Sequence, residues 1–249
     1  MSLLKYPKFT CCMVTERRIE FMPFFAFLWN RIEWPGEKEL VMVTSEGNED
    51  SIECLKDHLD DCSELVTGTI KPGPSVGALR NKAKSLATGE WITWADDDDW
   101  YSPRRFIETY EPLFVDPWRD KRLILNLATD LPLMHLKHMR CRPRVRSGWW
   151  GGSWIERKLA QRIPFINLNI AEDGIWFEQV WRQAQKITKH SLLIVYTHGD
   201  MNVCLEHKDN ISVRGENPDP EYWPMETPDY IDQESQDEIQ RLRERLGFA

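Results

Sequence analysis

Four consecutive carboxylates, Asp96–Asp99, are the part of this sequence with the clearest chemical potential. Neighbouring carboxylates repel one another, and burial raises their pKa values unless a cation neutralises them. A hard divalent ion that prefers oxygen ligands could do so, and it could in turn hold a diphosphate. The alternative is a solvated acidic turn, the usual setting of a charge run. The apolar residues Trp91–Ala95 before the run favour the ion site, because open α/β sheets bind ligands at the carboxyl ends of their strands.

A second charged segment has the opposite sign and contains aromatic residues. Its bases and tryptophans are Lys137, Arg140, Arg142, Arg144, Arg146, Trp149 and Trp150. Bases beside aromatic rings are typical of sites for polyanions. A solvated loop, or a loop that faces a diphosphate, is the alternative. With a net charge of −8, the chain as a whole lacks the basic coat of a general nucleic-acid-binding protein.

A pair of acids, Glu172 and Asp173, stands directly before a predicted helix, Gly174–Gln185. Carboxylates in the first turn of a helix interact favourably with the helix dipole. Taken alone, the pair therefore favours a structural interpretation over a catalytic one.

The elements that must position these side chains follow an α/β pattern. The predicted strands are Phe9–Val14, Glu39–Thr44, Glu64–Ile70, Glu90–Ala95, Arg122–Ala128 and Ser191–Tyr196. The predicted helices have apolar residues at helical spacing and are Phe21–Arg31, Ser51–Leu59, Val76–Ala87, Gly174–Gln185 and Gln233–Leu246. This alternation predicts a mostly parallel sheet with helices on both faces, in a single domain with a C-terminal extension.

Length and composition bound the class of protein. The 249 residues fit one large domain, and a hydrophobic fraction of 41% is enough for a sizeable core. No apolar stretch reaches the roughly 18 residues of a membrane span, and no secretory signal is visible. The six cysteines contain no CxxC pair, so we expect a reduced, cytoplasmic protein. The narrow apolar stripe of Gln233–Leu246 predicts a helix that docks on the domain, in a monomer or weak oligomer.

The order of these features resembles family 2 glycosyltransferases of the GT-A fold. Those enzymes have a strand ending in a P-T-x-N-R-like turn, a strand ending in D-D-G-S, a G-x-x-x-x-R-N-x-A helix, an A-T-G-E turn and a strand ending in DxD. The corresponding segments here are Val14–Arg17, Val43–Gly47, Gly77–Ala83, Ala87–Glu90 and Trp91–Asp99. Glu172-Asp173 also matches the family's E-D pair, and Glu206–Ser212 resembles its late H-x-x-N-x-S segment. The resemblance covers residues 8–110 well and residues 147–212 more loosely.

This resemblance implies a metal-dependent, inverting glycosyltransferase that moves a sugar from a nucleotide-sugar donor to an acceptor hydroxyl group. It implies that Asp98, helped by Asp96, holds Mg²⁺ or Mn²⁺ on the donor diphosphate. His207 would approach the metal or the diphosphate, and His198 competes for that role. A UDP-sugar is the expected donor.

The other roles implied by the resemblance concern the base and the donor contacts. Asp173 would remove the proton from the acceptor hydroxyl group, with Glu172 beside it. The residues expected to contact the nucleoside or the donor are Thr15, Glu16, Glu46, Arg80, Asp96 and Asp97. Residues 1–110 would form the donor half and residues 111–214 the acceptor half, followed by a Pro-rich acidic linker and helix in residues 215–249.

The basic segment lies in sequence where the family binds its acceptor. Arg142, Arg144, Trp149 and Trp150 are therefore the expected acceptor contacts. Their chemistry predicts an anionic polymer, either DNA or RNA with a hydroxyl-modified base or a teichoic-acid-like cell-wall polymer.

Two other classes of protein remain open at this point. A nucleotidyltransferase that acts on sugar phosphates also needs acids at strand ends, but it attacks phosphorus. A non-catalytic module that binds glycans or nucleic acids would tolerate the loss of Asp98 and Asp173, whereas an enzyme would not.

Overall fold

A computed structural model describes residues 6–61, 64–111, 123–126, 130–136, 140–145, 153–169, 172–184, 186–189, 194–198 and 231–248. The strands in these ranges are β1 (Phe9–Val14), β2 (Lys38–Ser45), β3 (Glu64–Ile70), β4 (Trp91–Trp94), β5 (Trp100–Tyr101), β6 (Leu123–Asn126), β7 (Asp130–His135), β8 (Arg140–Val145), β9 (Trp154–Glu156), β10 (Lys186–Lys189) and β11 (Ile194–His198). The helices are α1 (Met22–Asn30), α2 (Glu49–His58), α3 (Val76–Leu86), α4 (Arg105–Tyr110), α5 (Arg157–Arg162), α6 (Glu172–Gln183) and α7 (Gln233–Arg245).

The main sheet has seven strands in the order β10-β6-β9-β4-β1-β2-β3. Its neighbours pair in parallel except at β9, which runs antiparallel to both β4 and β6. A smaller sheet has the order β5-β11-β7-β8. The prediction of a mostly parallel sheet flanked by helices is confirmed.

The central strands are covered on both faces, so their residues divide between two cores. Cys11 of β1 and Met42 of β2 belong to the core that includes side chains of α1 and α7. Cys12 and Val43 belong to the core that includes side chains of α3, α5 and α6. This division follows the two-residue period of a strand. It explains why both strands are almost continuously apolar, as expected for parallel strands buried on both sides.

A buried carboxylate, Glu39 of β2, fixes the turn that leads into β4. It accepts hydrogen bonds from the hydroxyl groups of Thr10 and Thr88 and from the backbone amide of Thr88. At Gly89, a Cβ would lie 2.6 Å from the backbone of β1, so this position requires glycine. The T-G-E sequence thus sets where β4, and the acids that follow it, leave the sheet.

Helix α7 docks on the domain, which confirms the prediction for the C-terminal stripe. Its residues Ile239 and Leu242 are fully buried in the core shared with α1. Arg243 Nε donates a hydrogen bond to the carbonyl of Leu136 after β7, at 2.8 Å. None of the helices in the described ranges has the length and apolarity needed to cross a bilayer.

Helix α3 makes a very close approach to the chain that leads to α6. A Cβ built on Gly77 would lie 1.8 Å from the carbonyl oxygen of Ile166, and the Gly77 amide donates to the carbonyl of Leu168 at 3.0 Å. We therefore expect Gly77→Ala to lower the free energy of unfolding by about 1–3 kcal/mol, the usual effect of overpacking. Urea unfolding followed by tryptophan fluorescence measures this change.

Gly174→Ala is the matched control for that prediction. A Cβ on Gly174, in the first turn of α6, would meet no atom within 4 Å. Because alanine is the better helix former, this variant should be as stable as the wild type or more stable by up to about 1 kcal/mol. Equal destabilisation by both substitutions would contradict the importance of the close approach at Gly77.

Candidate active site

The ends of β1 and β4 lie side by side at the carboxyl edge of the main sheet, because the two strands pair in parallel. The turns that follow them, Thr15–Arg18 and Asp96–Asp99, therefore meet. The hydroxyl group of Thr15 donates a hydrogen bond to Oδ2 of Asp97, and Thr15 is buried. We call Asp96–Asp99 the Asp turn.

Arg18 places a guanidinium group against two carboxylates of the Asp turn. Its Nη1 donates to Oδ1 of Asp97 and to Oδ2 of Asp98, at 2.8 Å in each case. Arg17, directly before it, has a φ of 55°, a left-handed conformation that reverses the chain locally. The two carboxylates, Asp97 first, raise the pKa of Arg18 above its ordinary value.

The charged forms of Asp96 and Asp98 in the Asp turn remain unfavourable despite this arginine. Burial raises the pKa of Asp98 to about 7; Arg18 opposes the rise, whereas Asp97 and Asp96 add to it. The pKa of Asp96 is also raised, first by burial and further by Asp97 and Asp173. A cation close to these carboxylates would favour their charged forms.

Arg80 of α3 connects the Asp turn with the start of α6. Its Nε donates to Oε1 of Glu172 at 3.1 Å, and its Nη2 lies 3.6 Å from Oδ1 of Asp96. The guanidinium also lies over the ring of Trp94, 5.4 Å from the centroid. Burial raises the pKa of Glu172, and the neighbouring Asp173 adds to the rise. The two acidic segments singled out in the sequence are thus brought together.

Glu16 ties the ends of β1 and β2 to each other. Its carboxylate accepts hydrogen bonds from the backbone amide and hydroxyl group of Ser45, at 3.0 and 2.8 Å, and from Nδ2 of Asn48 at 2.7 Å. Glu46 follows Ser45 and is exposed. Both acids therefore lie at the same edge of the sheet as the Asp turn.

Comparison with solved structures identifies the fold. The structure of S. aureus TarS 1-349 in complex with UDP has a TM-score of 0.59 and 14% identity, covering 77% of this chain and 60% of that one. The mannosyltransferase PcManGT from Pyrobaculum calidifontis, in complex with GDP-Man and Mn²⁺, has a TM-score of 0.58 and 15% identity, covering 77% and 57%. Both are glycosyltransferases with the GT-A fold. The chain has the GT-A fold. It spans about 60% of the TarS chain.

The fold of this chain is also similar to that of a synthase. 4-Diphosphocytidyl-2C-methyl-D-erythritol synthase from Anaerococcus prevotii has a TM-score of 0.50 and 12% identity, covering 75% of this chain and 87% of that one. At such identities the likeness concerns the fold alone. No protein-family model and no curated protein matches the sequence.

The acids at this edge of the GT-A sheet are the described residues that could hold a divalent cation. Within the described ranges, no three His, Cys, Asp or Glu side chains converge as a complete metal site. Asp96 and Asp98, however, offer carboxylate oxygens whose charged forms are unfavourable in their present setting. Mg²⁺ in proteins is commonly held by one or two carboxylates plus the phosphates of a substrate.

The structure leaves part of the predicted site undescribed. His207, Trp149 and Trp150 lie outside the described residues. His198 is the last residue of β11, and its backbone is in register with His135 of β7. Arg142 and Arg144 lie on β8, where only the backbone is described. The roles expected of these histidines, arginines and tryptophans remain predictions.

Proposed function

We propose that this chain is a metal-dependent, inverting glycosyltransferase that moves a sugar from a nucleotide-sugar donor to an acceptor hydroxyl group. The observation that carries the proposal is the meeting of the Asp turn with the start of α6, where Arg80 lies between Asp96 and Glu172. The fold supports it, as do the UDP and GDP-Man in the two similar structures. A UDP-sugar is our first candidate donor, with residues 1–110 as the donor half and residues 111–214 as the acceptor half.

Asp98 and Asp96 would hold Mg²⁺ or Mn²⁺, with His207 or His198 as a further ligand. The ion, when bound, neutralises charge on the diphosphate leaving group. Asp173 takes the proton of the acceptor hydroxyl group as its oxygen bonds to the anomeric carbon. The bond from that carbon to the diphosphate oxygen breaks, and the nucleoside diphosphate leaves with the electron pair. Attack on the opposite face inverts the anomeric centre.

Asp173 is suited to act as this base by its place in the chain. It is the second residue of α6, it is partly exposed, and it is close enough to the Asp turn to raise the pKa of Asp96. Its Oδ1 accepts a hydrogen bond from the amide of Gly174 at 2.6 Å, which restricts the carboxylate. Glu172, buried and bonded to Arg80, orients the start of the helix.

The donor contacts in this proposal come from three turns at the same edge. Thr15, Glu16 and Glu46 would contact the nucleoside, and Arg80 and Asp97 the rest of the donor. The hydrogen bond from Thr15 to Asp97 couples the first turn to the Asp turn, so binding at one turn depends on the other.

A screen of nucleotide sugars tests the proposal. We expect one donor to raise the melting temperature in Mn²⁺ but not in EDTA, and to be hydrolysed slowly to its nucleoside diphosphate. With a nucleoside triphosphate and a sugar phosphate supplied instead, transfer of the nucleotide to the sugar phosphate with release of pyrophosphate would identify a nucleotidyltransferase. Stabilisation by glycans or nucleic acids without any turnover would identify a binding module.

We further propose that the acceptor is an anionic polymer, such as a nucleic acid or a teichoic-acid-like polymer. Arg140, Arg142 and Arg144 occupy alternate positions of β8, which lies at the end of the smaller sheet. In the sequence these three bases recur at every second residue. A row of bases on one strand suits a chain of phosphates, and Trp149 and Trp150 follow in sequence as candidate stacking surfaces.

Neutralising two of these arginines should reduce the salt dependence of polymer binding. For the double variant Arg142→Gln, Arg144→Gln, we expect the slope of log K against log salt to become shallower. The change should correspond to the loss of up to about two phosphate contacts. Fluorescence anisotropy with single-stranded DNA and with poly(glycerol phosphate), across a salt series, measures this slope. Arg104→Gln with Arg182→Gln is the matched control, since both arginines are exposed, one directly before α4 and the other on α6. Binding without salt dependence would contradict the proposal.

We also propose that the protein is cytoplasmic and that it is a monomer or a weak oligomer. Cys11, Cys12 and Cys54 are free thiols in the described part of the chain. Burial raises the pKa of Cys11 to about 12 and that of Cys12 well above its ordinary value. Inert thiols packed in a core are typical of a protein from a reducing compartment.

A further inference from the structure

Arg18 is a fixed cation at the Asp turn. One nitrogen, Nη1, donates to both Asp97 and Asp98, and the side chain is only 15% exposed. Asp97 has both carboxylate oxygens engaged, since its Oδ2 accepts the hydroxyl group of Thr15. Hydrogen bonds between charged partners are stronger than neutral ones, and more so when shielded from water.

The loop that carries Arg18 is held in place from two sides. Arg17 turns the backbone with its φ of 55°, and the guanidinium of Arg18 lies 5.7 Å from the ring centroid of Phe21. On the outer side, Nε of Arg245 in α7 donates to the carbonyl of Glu20 at 3.2 Å. The position of Arg18 is therefore supported by contacts within the fold.

We propose that Arg18 is the resident counter-ion of the Asp turn and competes with a divalent cation for Asp98. The inference rests on the proposed function, because that proposal assigns the metal to Asp98. An ion on Asp98 would lie close to a fixed guanidinium group, and like charges in a shielded setting repel strongly. The chain alone therefore binds the ion weakly.

The same competition links the metal to the donor. A diphosphate carries negative charge that offsets both the divalent ion and the guanidinium group. Ion and donor therefore bind together, and neither occupies the site tightly without the other. Arg18 is in this sense a positioning residue, since it acts through Asp98 and the ion.

Binding of Mn²⁺ to the full chain without nucleotide tests the inference. Electron paramagnetic resonance counts free Mn²⁺ and gives the dissociation constant directly. We expect Arg18→Met and Arg18→Gln to bind Mn²⁺ at least about tenfold more tightly than the wild type, because a repelling charge is gone. Arg18→Lys should resemble the wild type. Arg17→Met is the matched control: it removes the same charge from an exposed neighbour and should leave the constant unchanged.

Thermal unfolding provides a second readout that does not depend on tight binding by the wild type. In EDTA, Arg18→Met should melt below the wild type, and Mn²⁺ should restore its melting temperature more than it raises that of the wild type. Unchanged or weaker Mn²⁺ binding by both charge-removing variants would overturn the inference, as would no Mn²⁺ binding by any variant. Sugar transfer in EDTA would overturn the inference and the proposed metal dependence, but it would leave the assignment as a glycosyltransferase intact. Tighter Mn²⁺ binding by the charge-removing variants, without sugar transfer to any acceptor by the wild type, would support the inference and contradict the glycosyltransferase proposal.

Discussion

Asp173→Asn is expected to slow sugar transfer by about a hundredfold or more, the usual contribution of a general base. The substitution preserves the shape of the side chain and removes its ability to take up a proton. Donor binding should persist, because Arg80 keeps its contacts with Glu172 and Asp96. Steady-state transfer rates and calorimetric donor titrations, run on the same preparation, separate these two effects.

Glu178→Gln is the matched control for the proposed base. It makes the same change of charge further along α6, at an exposed residue whose carboxylate pairs with its helix neighbour Arg182. This variant should transfer sugar at the wild-type rate. Unimpaired transfer by Asp173→Asn would place the base elsewhere, and Glu172 would then be the next candidate.

Asp98→Asn should abolish metal-dependent binding of the nucleoside diphosphate. A charge pair 4 Å apart contributes about 4 kcal/mol at an effective dielectric constant of 20, so losing this carboxylate should weaken metal binding by about a hundredfold to a thousandfold. The fold should survive, because Arg18 remains bonded to Asp97 and one of several repelling acids is gone. Titration of the nucleoside diphosphate with and without Mn²⁺ measures the loss.

The control for Asp98→Asn is Asp57→Asn on α2, which removes the same charge from an exposed position. It should bind metal and nucleotide as the wild type does. If Asp98→Asn kept both its affinity and its metal requirement, the ion would have to be held by other residues.

The central sheet could be predicted because its strands carry their signal locally. The predicted bounds of β1 and β3, Phe9–Val14 and Glu64–Ile70, are those of the structure. Strands buried on both faces are apolar throughout, and the helices between them show a regular apolar spacing. The resemblance to family 2 glycosyltransferases placed the Asp turn and the acidic pair in one site; a strand pattern alone does not, because α6 follows the antiparallel strand β9 and α5.

Other parts of the fold depend on contacts that a local pattern does not contain. Strand β9 has three residues and is defined by pairing with β4 and β6 on either side. In β8 arginines alternate with Cys, Pro and Val, which appears in sequence as a basic loop and not as a strand. Neither segment was predicted as a strand.

Arg18 is the functional candidate that sequence reasoning missed. Its partners Asp97 and Asp98 are 79 and 80 residues away, so no spacing rule connects them. The available signal was the final arginine position of the P-T-x-N-R-like turn, considered together with four acids that lacked a counter-charge. Only the parallel pairing of β1 with β4 brings the two turns into contact.

The four aspartates of the Asp turn are the same amino acid in four different environments. The four positions should therefore differ in which substitutions they tolerate. The side chain of Asp96 is 28% exposed, Asp97 is fixed between Thr15 and Arg18, Asp98 has a pKa near 7, and Asp99 is fully buried. In a saturation library selected first for folding and then for transfer, losses at Asp97 and Asp99 should already be evident in the first selection. Losses at Asp96 and Asp98 should emerge only in the second. The four identical residues would thus separate into two pairs, one whose loss already impairs folding and one whose loss is first detected in transfer.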